Sequence, residues 1–75
     1  MAISKAKKAE LKKLGLRLKS LRTGKGLTLK ELGYKIDKDP QSISRVEIGD
    51  INAIYLYLLD ICKGLEIEIS ELFND

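Results

Sequence analysis

The sequence contains no histidine and no tryptophan, and only one cysteine and one proline among its 75 residues. Without histidine, the commonest general base of enzymes and most zinc sites are excluded. The single thiol, Cys62, cannot form an intramolecular disulfide, and nothing else indicates an oxidising compartment. We therefore expect neither an enzyme nor a bound metal or cofactor.

Long apolar runs are also missing. The most apolar run, Ile54 to Leu59, has six residues, whereas a membrane-spanning helix needs about 20. The N-terminus lacks the apolar stretch of a secretory signal. The sequence therefore predicts a cytoplasmic protein with no membrane partner.

Charge is unevenly distributed, although the net charge is only +3. Residues 1–38 contain 12 lysines and arginines against three acids, whereas residues 39–75 contain two against eight. Such asymmetry favours a protein with one basic face that binds a polyanion. The alternative is a solvated surface whose charges are unevenly distributed without a function.

The N-terminal third has the pattern of an amphipathic helix, because leucines recur at spacings of three and four between basic residues. The pattern predicts a first helix over residues 5–23, ended by Gly24 and Gly26. Thr28 and Glu31 then form a capping-box sequence, which predicts the start of a second helix. The leucines concerned are Leu11, Leu14, Leu18 and Leu21.

Three further helices follow from capping residues and spacing. The second helix ends near Asp37, and the third begins at Asp39 and Pro40 and stops at Gly49. We expect Asn52 to cap a fourth helix over residues 53–64, and Ser70 to cap a last turn carrying Leu72 and Phe73. Inward positions are Leu29, Leu32, Ile36, Ile43, Val46, Ile54, Leu58, Ile61 and Leu65. The fold class is therefore all-α, with five helices joined by short loops and no strand.

The third helix carries the chemically informative face. Gln41, Ser44, Arg45 and Ile48 lie opposite its apolar positions. Glutamine can bond bidentately to adenine, arginine to guanine, and serine to bases or phosphate. A glycine inside the second helix, Gly33, allows close packing of the third. Together these features indicate a helix-turn-helix that reads double-stranded DNA.

Residues 15–73 resemble the Xre family of lambda-repressor-like, Cro/C1-type helix-turn-helix regulators. The resemblance lies in residues 15–22 (GLRLKSLR), 26–32 (GLTLKEL), 43–47 (ISRVE) and 58–61 (LLDI), and then in Gly49, Leu65 and residues 71–73 (ELF). It implies a compact five-helix DNA-binding domain over residues 15–75, preceded by a basic extension of the first helix over residues 1–14.

The resemblance also implies roles for individual residues. Arg22 and Glu47 match a pair that ties the first helix to the third, and the alternative is two independent surface charges. Cys62 stands where the family often has alanine, which implies a core residue, and the alternative is a redox role. The sequence departs from the family at Leu29, where a DNA-contacting glutamine is common, and at Lys38, where an apolar residue is usual. The positions expected to contact DNA are Thr28, Lys30, Pro40, Gln41, Ser42, Ser44 and Arg45.

The run from Ile54 to Leu59 is more apolar than one helix face can bury. With Ile54 and Leu58 inward, Leu56 and Tyr57 should be exposed, and exposed apolar groups often mark an interface. We expect a homodimer through these two residues, with recognition helices roughly 34 Å apart on a pseudo-palindromic operator.

The expected function is a sequence-specific transcriptional regulator that represses by occupying its operator. Alternatives within the fold are a restriction–modification controller or an antitoxin, whose toxin partner is unknown. A further alternative is a protein-interaction module that uses the helix-turn-helix as a scaffold. The lysines of residues 5–13 either lie along phosphates or form a solvated helix face.

Overall fold

A computed structural model describes residues 4–50 and 54–73 of the chain. Within them the protein is all-helical and has no strand, as the sequence predicts. The expected fifth helix is a short 3₁₀-helix, so the α-helices number four in the described ranges. The elements are α1 (Lys5–Gly24), α2 (Leu29–Ile36), α3 (Pro40–Glu47), α4 (Tyr55–Leu65) and the 3₁₀-helix (Ile69–Phe73).

Side-chain caps start α2 and α3 where the sequence predicts them. The Thr28 hydroxyl accepts from the Glu31 N–H at 3.0 Å, and the Glu31 carboxylate accepts from the Thr28 N–H at 2.9 Å. Asp39 accepts from the Gln41 N–H at 3.1 Å, and Pro40 occupies the first position of α3. Each cap satisfies backbone donors that have no partner inside the helix.

All four α-helices are followed by a residue with left-handed backbone. These residues are Gly26, Asp37, Gly49 and Glu66, with φ between 56° and 78°. At Asp37 the sequence prediction is confirmed, because aspartate tolerates this conformation better than most residues. Glu66 has no such tolerance, and nothing in the sequence marks it as a turn residue.

The core lies where the four α-helices and the 3₁₀-helix meet. Its least exposed side chains are Leu18, Leu32, Ile43, Ile61 and Leu65. α1 packs on α3, α2 packs on α3 and α4, and the 3₁₀-helix packs on α1 and α4. Each helix therefore contributes to one apolar interior, which fixes the orientation of α3.

Cys62 is part of this core, as expected. Burial raises the pKa of its thiol, and the nearby negative charges of Glu71 and Glu68 raise it further. A thiol held protonated in this way is a poor nucleophile and a poor metal ligand.

The prediction for the start of α4 is wrong. The helix begins at Tyr55 rather than at residue 53, and Ile54 is its N-cap residue, without a side-chain cap. Ile54 is 69% exposed instead of facing inward. Asn52, the expected cap, lies outside the described residues.

No helix in the described part of the chain is long and apolar enough to cross a membrane.

Candidate nucleic-acid interface

α2 and α3 are joined by residues 37–39 in a tight turn. A Cβ at Gly33 would lie 2.6 Å from the Lys38 carbonyl oxygen and 3.3 Å from the Pro40 ring. Such contacts leave room only for glycine, so Gly33 has the packing role expected from the sequence. The two helices thus form a helix-turn-helix.

The outer face of α3 presents hydrogen-bonding groups to solvent. Gln41, Arg45 and Ile48 are exposed and Ser44 is half-buried, while Ile43 and Val46 on the opposite side are buried. A primary amide and a guanidinium one turn apart can each form two hydrogen bonds with a base edge. An exposed face of this kind is able to read base edges.

The start of α2 provides a second group of candidate contacts. Thr28 and Lys30 are exposed there. The backbone and side-chain hydrogen bonds from Thr28 lower the pKa of Glu31, whose carboxylate completes the capping box. Pro40, another expected DNA contact, is half-buried with its ring against Gly33.

Ser42 and Tyr57 contact each other, which the sequence did not reveal. The Ser42 hydroxyl donates to the Asp39 carbonyl at 2.7 Å and lies 2.7 Å from the Tyr57 hydroxyl. Lys38 stands 5.1 Å from the centre of the Tyr57 ring and pairs with Asp60 at 3.1 Å. These contacts tie the first turn of α3 to α4.

One expectation changes as a result. The Ser42 hydroxyl makes two hydrogen bonds with other residues of the protein, and its contact with DNA stays a prediction. Tyr57 is half-buried, so the prediction that it is exposed beside Leu56 is wrong. The physical reason is that a tyrosine can bury its ring while its hydroxyl finds a polar partner.

Arg22 and Glu47 form a bidentate ion pair in the interior. The Arg22 Nε and Nη2 atoms lie 2.7 and 3.0 Å from the two carboxylate oxygens, and Nη1 donates to the Leu27 carbonyl at 2.7 Å. Arg22 is 7% and Glu47 5% exposed, so they are not independent surface charges. The pair joins α1 to the last turn of α3.

Backbone contact reinforces this junction. At Gly15 any Cβ would overlap the Glu47 carbonyl. α1 and α3 therefore touch main chain to main chain, and the angle of α3 depends on α1.

A second ion pair lies on the outer face itself. Arg45 Nε is 3.5 Å from Asp50 Oδ2, and both side chains are 59% exposed. Sequence reasoning identified Arg45 but not Asp50, because the residues become neighbours only through the turn that ends α3.

The exposed surface also carries basic and apolar regions. Lysines at positions 5, 7, 8 and 12 of α1 are exposed. Leu56 of α4 is 66% exposed, and Ile54 and Tyr55 beside it are exposed as well.

Comparison with known proteins identifies relatives for this fold and site. The sequence profile described as helix-turn-helix matches residues 18–72. The restriction-modification controller protein C.AhdI from Aeromonas hydrophila is similar in structure, with a TM-score of 0.84 and 38% identity over 87% of this chain and 98% of that chain. No curated protein matches the sequence.

Two further solved structures are also similar. The controller protein C.Esp1396I, a tetramer in complex with its natural 35 base-pair operator, has a TM-score of 0.73 and 32% identity over 85% of this chain and 95% of that chain. The clp gene regulator ClgR from Corynebacterium glutamicum has a TM-score of 0.79 and 29% identity over 83% of this chain and 66% of that chain.

Proposed function

We propose that this chain, which belongs to the Cro/C1-type helix-turn-helix family, is a sequence-specific regulator of transcription. It binds double-stranded DNA. The observation that carries this proposal is the exposed face of α3, with Gln41 and Arg45 one turn apart. The buried Arg22–Glu47 pair supports it, since the pair holds that face in a fixed direction.

The proposed mechanism places α3 in the major groove. Gln41 bonds to an adenine edge and Arg45 to a guanine edge, while Ser44 contacts a base or the backbone. Thr28 and Lys30, at the start of α2, lie along phosphates, where the helix N-terminus also favours an anion. Pro40 packs at the groove entrance.

We further propose that the protein acts as a homodimer and represses by occupying a pseudo-palindromic operator. The exposed Leu56 of α4, with Ile54 and Tyr55 beside it, supports an apolar interface. Tyr57, whose hydroxyl bonds to Ser42, is not assigned to that interface. A two-fold dimer would set the two copies of α3 one turn of DNA apart, roughly 34 Å.

A narrower function is control of a restriction–modification system. Two controllers of this kind resemble the chain at 38% and 32% identity, and the alignments cover 98% and 95% of their lengths. The test is binding to duplexes taken from upstream of neighbouring restriction and methyltransferase genes. The antitoxin alternative stays a prediction.

Selection from a random duplex library at about 150 mM salt tests the proposed function. We expect the wild type to enrich two related half-sites about ten base pairs apart, and the Gln41→Ala/Arg45→Ala variant to enrich none. Lys63→Ala, which removes one exposed positive charge from α4, is the control and should enrich the same sequence.

If wild type and variant both fail to enrich any sequence, base reading by this protein is refuted. The interaction-module alternative would then be favoured. A motif enriched equally by both proteins would instead place base reading outside Gln41 and Arg45.

A further inference from the structure

Asp50 lies beside the arginine that faces outward from α3. The Arg45 Nε and Asp50 Oδ2 atoms are 3.5 Å apart, with both side chains largely exposed. Resting on the function proposed above, we propose that Asp50 is a positioning residue for base reading. It orients the Arg45 guanidinium toward a base edge and opposes binding of that guanidinium to phosphate.

The turn that ends α3 fixes Asp50 relative to Arg45. The Asp50 N–H donates to the Arg45 carbonyl at 2.9 Å, and the Gly49 N–H donates to the Val46 carbonyl at 3.1 Å. This is the hydrogen-bond pattern of a Schellman motif, with Gly49 in the left-handed conformation at φ 78°. The backbone of Arg45 and Asp50 is therefore joined directly.

α1 holds this turn from the other side. A Cβ at Gly49 would lie 2.8 Å from main-chain atoms of Lys12. Close contact of this kind leaves the turn little freedom to shift. The backbone of Asp50 is therefore held in place, and its carboxylate extends from a fixed position next to the outer face of α3.

The geometry of the guanidinium explains the orienting effect. Arginine has five N–H donors in a planar fork. When Nε faces Asp50, the edge formed by the two Nη groups remains open, and that edge can bond to guanine O6 and N7 together. Pairing before DNA is met also reduces the rotamer entropy that Arg45 loses on binding.

The charge of Asp50 explains the second effect. Phosphate contacts supply affinity that does not depend on sequence. A carboxylate beside Arg45 repels phosphate and competes with it for the guanidinium, whereas a guanine edge carries no net charge. Asp50 should thus weaken non-specific binding more than specific binding, which raises the specificity ratio.

Asp50→Asn tests the inference, with Glu66→Gln as the matched control. The control removes the same charge from another exposed ion pair, Lys35–Glu66 at 3.7 Å, between α2 and the end of α4. Kd is measured over a range of salt for the duplex enriched by selection and for a scrambled duplex of equal length and composition.

We expect Asp50→Asn to lower the specific-to-scrambled affinity ratio about two- to five-fold, as loss of an exposed ion pair can. Affinity for the scrambled duplex should rise, and its log–log salt slope should steepen by up to about 0.9 because Arg45 is free to bind a phosphate. A folding defect would weaken both affinities together, so it would not produce this result. Glu66→Gln should keep the wild-type ratio.

The same substitution in an Arg45→Ala background separates action through Arg45 from a general charge effect. There Asp50→Asn should leave the remaining ratio unchanged. An unchanged ratio in the Asp50→Asn single variant, or an equal fall with and without Arg45, would overturn the inference while leaving the proposed function intact. A wild type with no preferred duplex would refute the proposed function, and this inference with it.

Discussion

At the residue scale, the buried ion pair is the feature on which the domain most depends. Breaking a buried pair on one side leaves an uncompensated charge in the interior, which costs several kcal/mol. Here both partners are nearly fully buried, and Arg22 also donates a hydrogen bond to the Leu27 carbonyl. A 75-residue domain has only a few kcal/mol of stability to lose.

Glu47→Gln should therefore lower the free energy of unfolding by about 3 kcal/mol or more, because Arg22 loses its counter-charge. Chemical denaturation followed by circular dichroism measures the change. Glu10→Gln, at an exposed position of α1, is the control and should stay close to wild type. Equal stability of the two variants would contradict the role given to the pair.

Glu31 makes stability depend on pH through the capping box. Its pKa in the folded protein lies below the ordinary value for glutamate, because hydrogen bonds from Thr28 favour the carboxylate. The ionised carboxylate therefore stabilises the folded protein fully at pH values above the unfolded-state pKa. This stabilisation is lost as the pH falls through the lower folded-state pKa. Thermal unfolding midpoints of wild type and Glu31→Gln should differ at neutral pH and converge in acid. A difference independent of pH would show that the charge has no part in the cap.

At the scale of elements, the helix ends differ in whether the residue in the left-handed backbone conformation is one that adopts it easily. Gly26 and Gly49 occupy left-handed positions without steric cost, whereas Glu66 carries a Cβ at φ 58°. A left-handed L-residue costs roughly 1–2 kcal/mol, and glycine recovers part of this despite its greater freedom in the unfolded chain. The end of α4 is thus a place where the native sequence is not optimal.

Glu66→Gly should raise the free energy of unfolding by about 0.5 to 1 kcal/mol, since the strain at this turn is relieved. Glu66→Ala is the control, because it removes the ion pair with Lys35 and keeps the Cβ. It should be no more stable than wild type in the same urea titration. If alanine stabilised as much as glycine, backbone strain would not be the cause.

Sequence predicted the elements whose ends carry local signals. Thr28, Asp39 and Gly33 each act within a few residues, through a cap or a tight turn, so their positions could be read from spacing. α4 was harder to place, because apolar residues surround most of it and periodicity does not fix its rotation. The predicted start of the helix and the predicted exposure of Tyr57 are wrong for that reason.

Some features of the candidate site could likewise be predicted from the sequence, and others could not. The outward face of α3 followed from the inward positions of Ile43 and Val46. The Ser42–Tyr57 and Arg45–Asp50 contacts did not follow, because each depends on two side chains meeting across a turn or between helices. Such contacts depend on the tertiary structure, so no local sequence pattern predicts them.

At the scale of the whole molecule, the proposed dimer depends on the exposed apolar part of α4. Leu56 is 66% exposed, and Leu16 of α1 is 65% exposed. The two leucines provide a matched pair, because each can become lysine with the same change of charge and a similar loss of exposed apolar surface. Neither is part of the buried core.

Leu56→Lys should convert a dimer to a monomer, because a lysine pair at a two-fold interface is both desolvated and repulsive. Leu16→Lys should remain a dimer. Sedimentation velocity over a series of protein concentrations distinguishes the two, and folding is checked by circular dichroism. Identical sedimentation of both variants with wild type would remove Leu56 from the interface.

The hydrogen bond between Tyr57 and Ser42 also gives the protein its own optical probe. The chain has three tyrosines and no tryptophan, and Tyr34 and Tyr55 are exposed. Replacing those two with phenylalanine would leave Tyr57 as the single tyrosine, whose hydroxyl bonds to the first turn of α3. Its emission would then report, without any attached dye, whether that turn moves when the helix enters a groove.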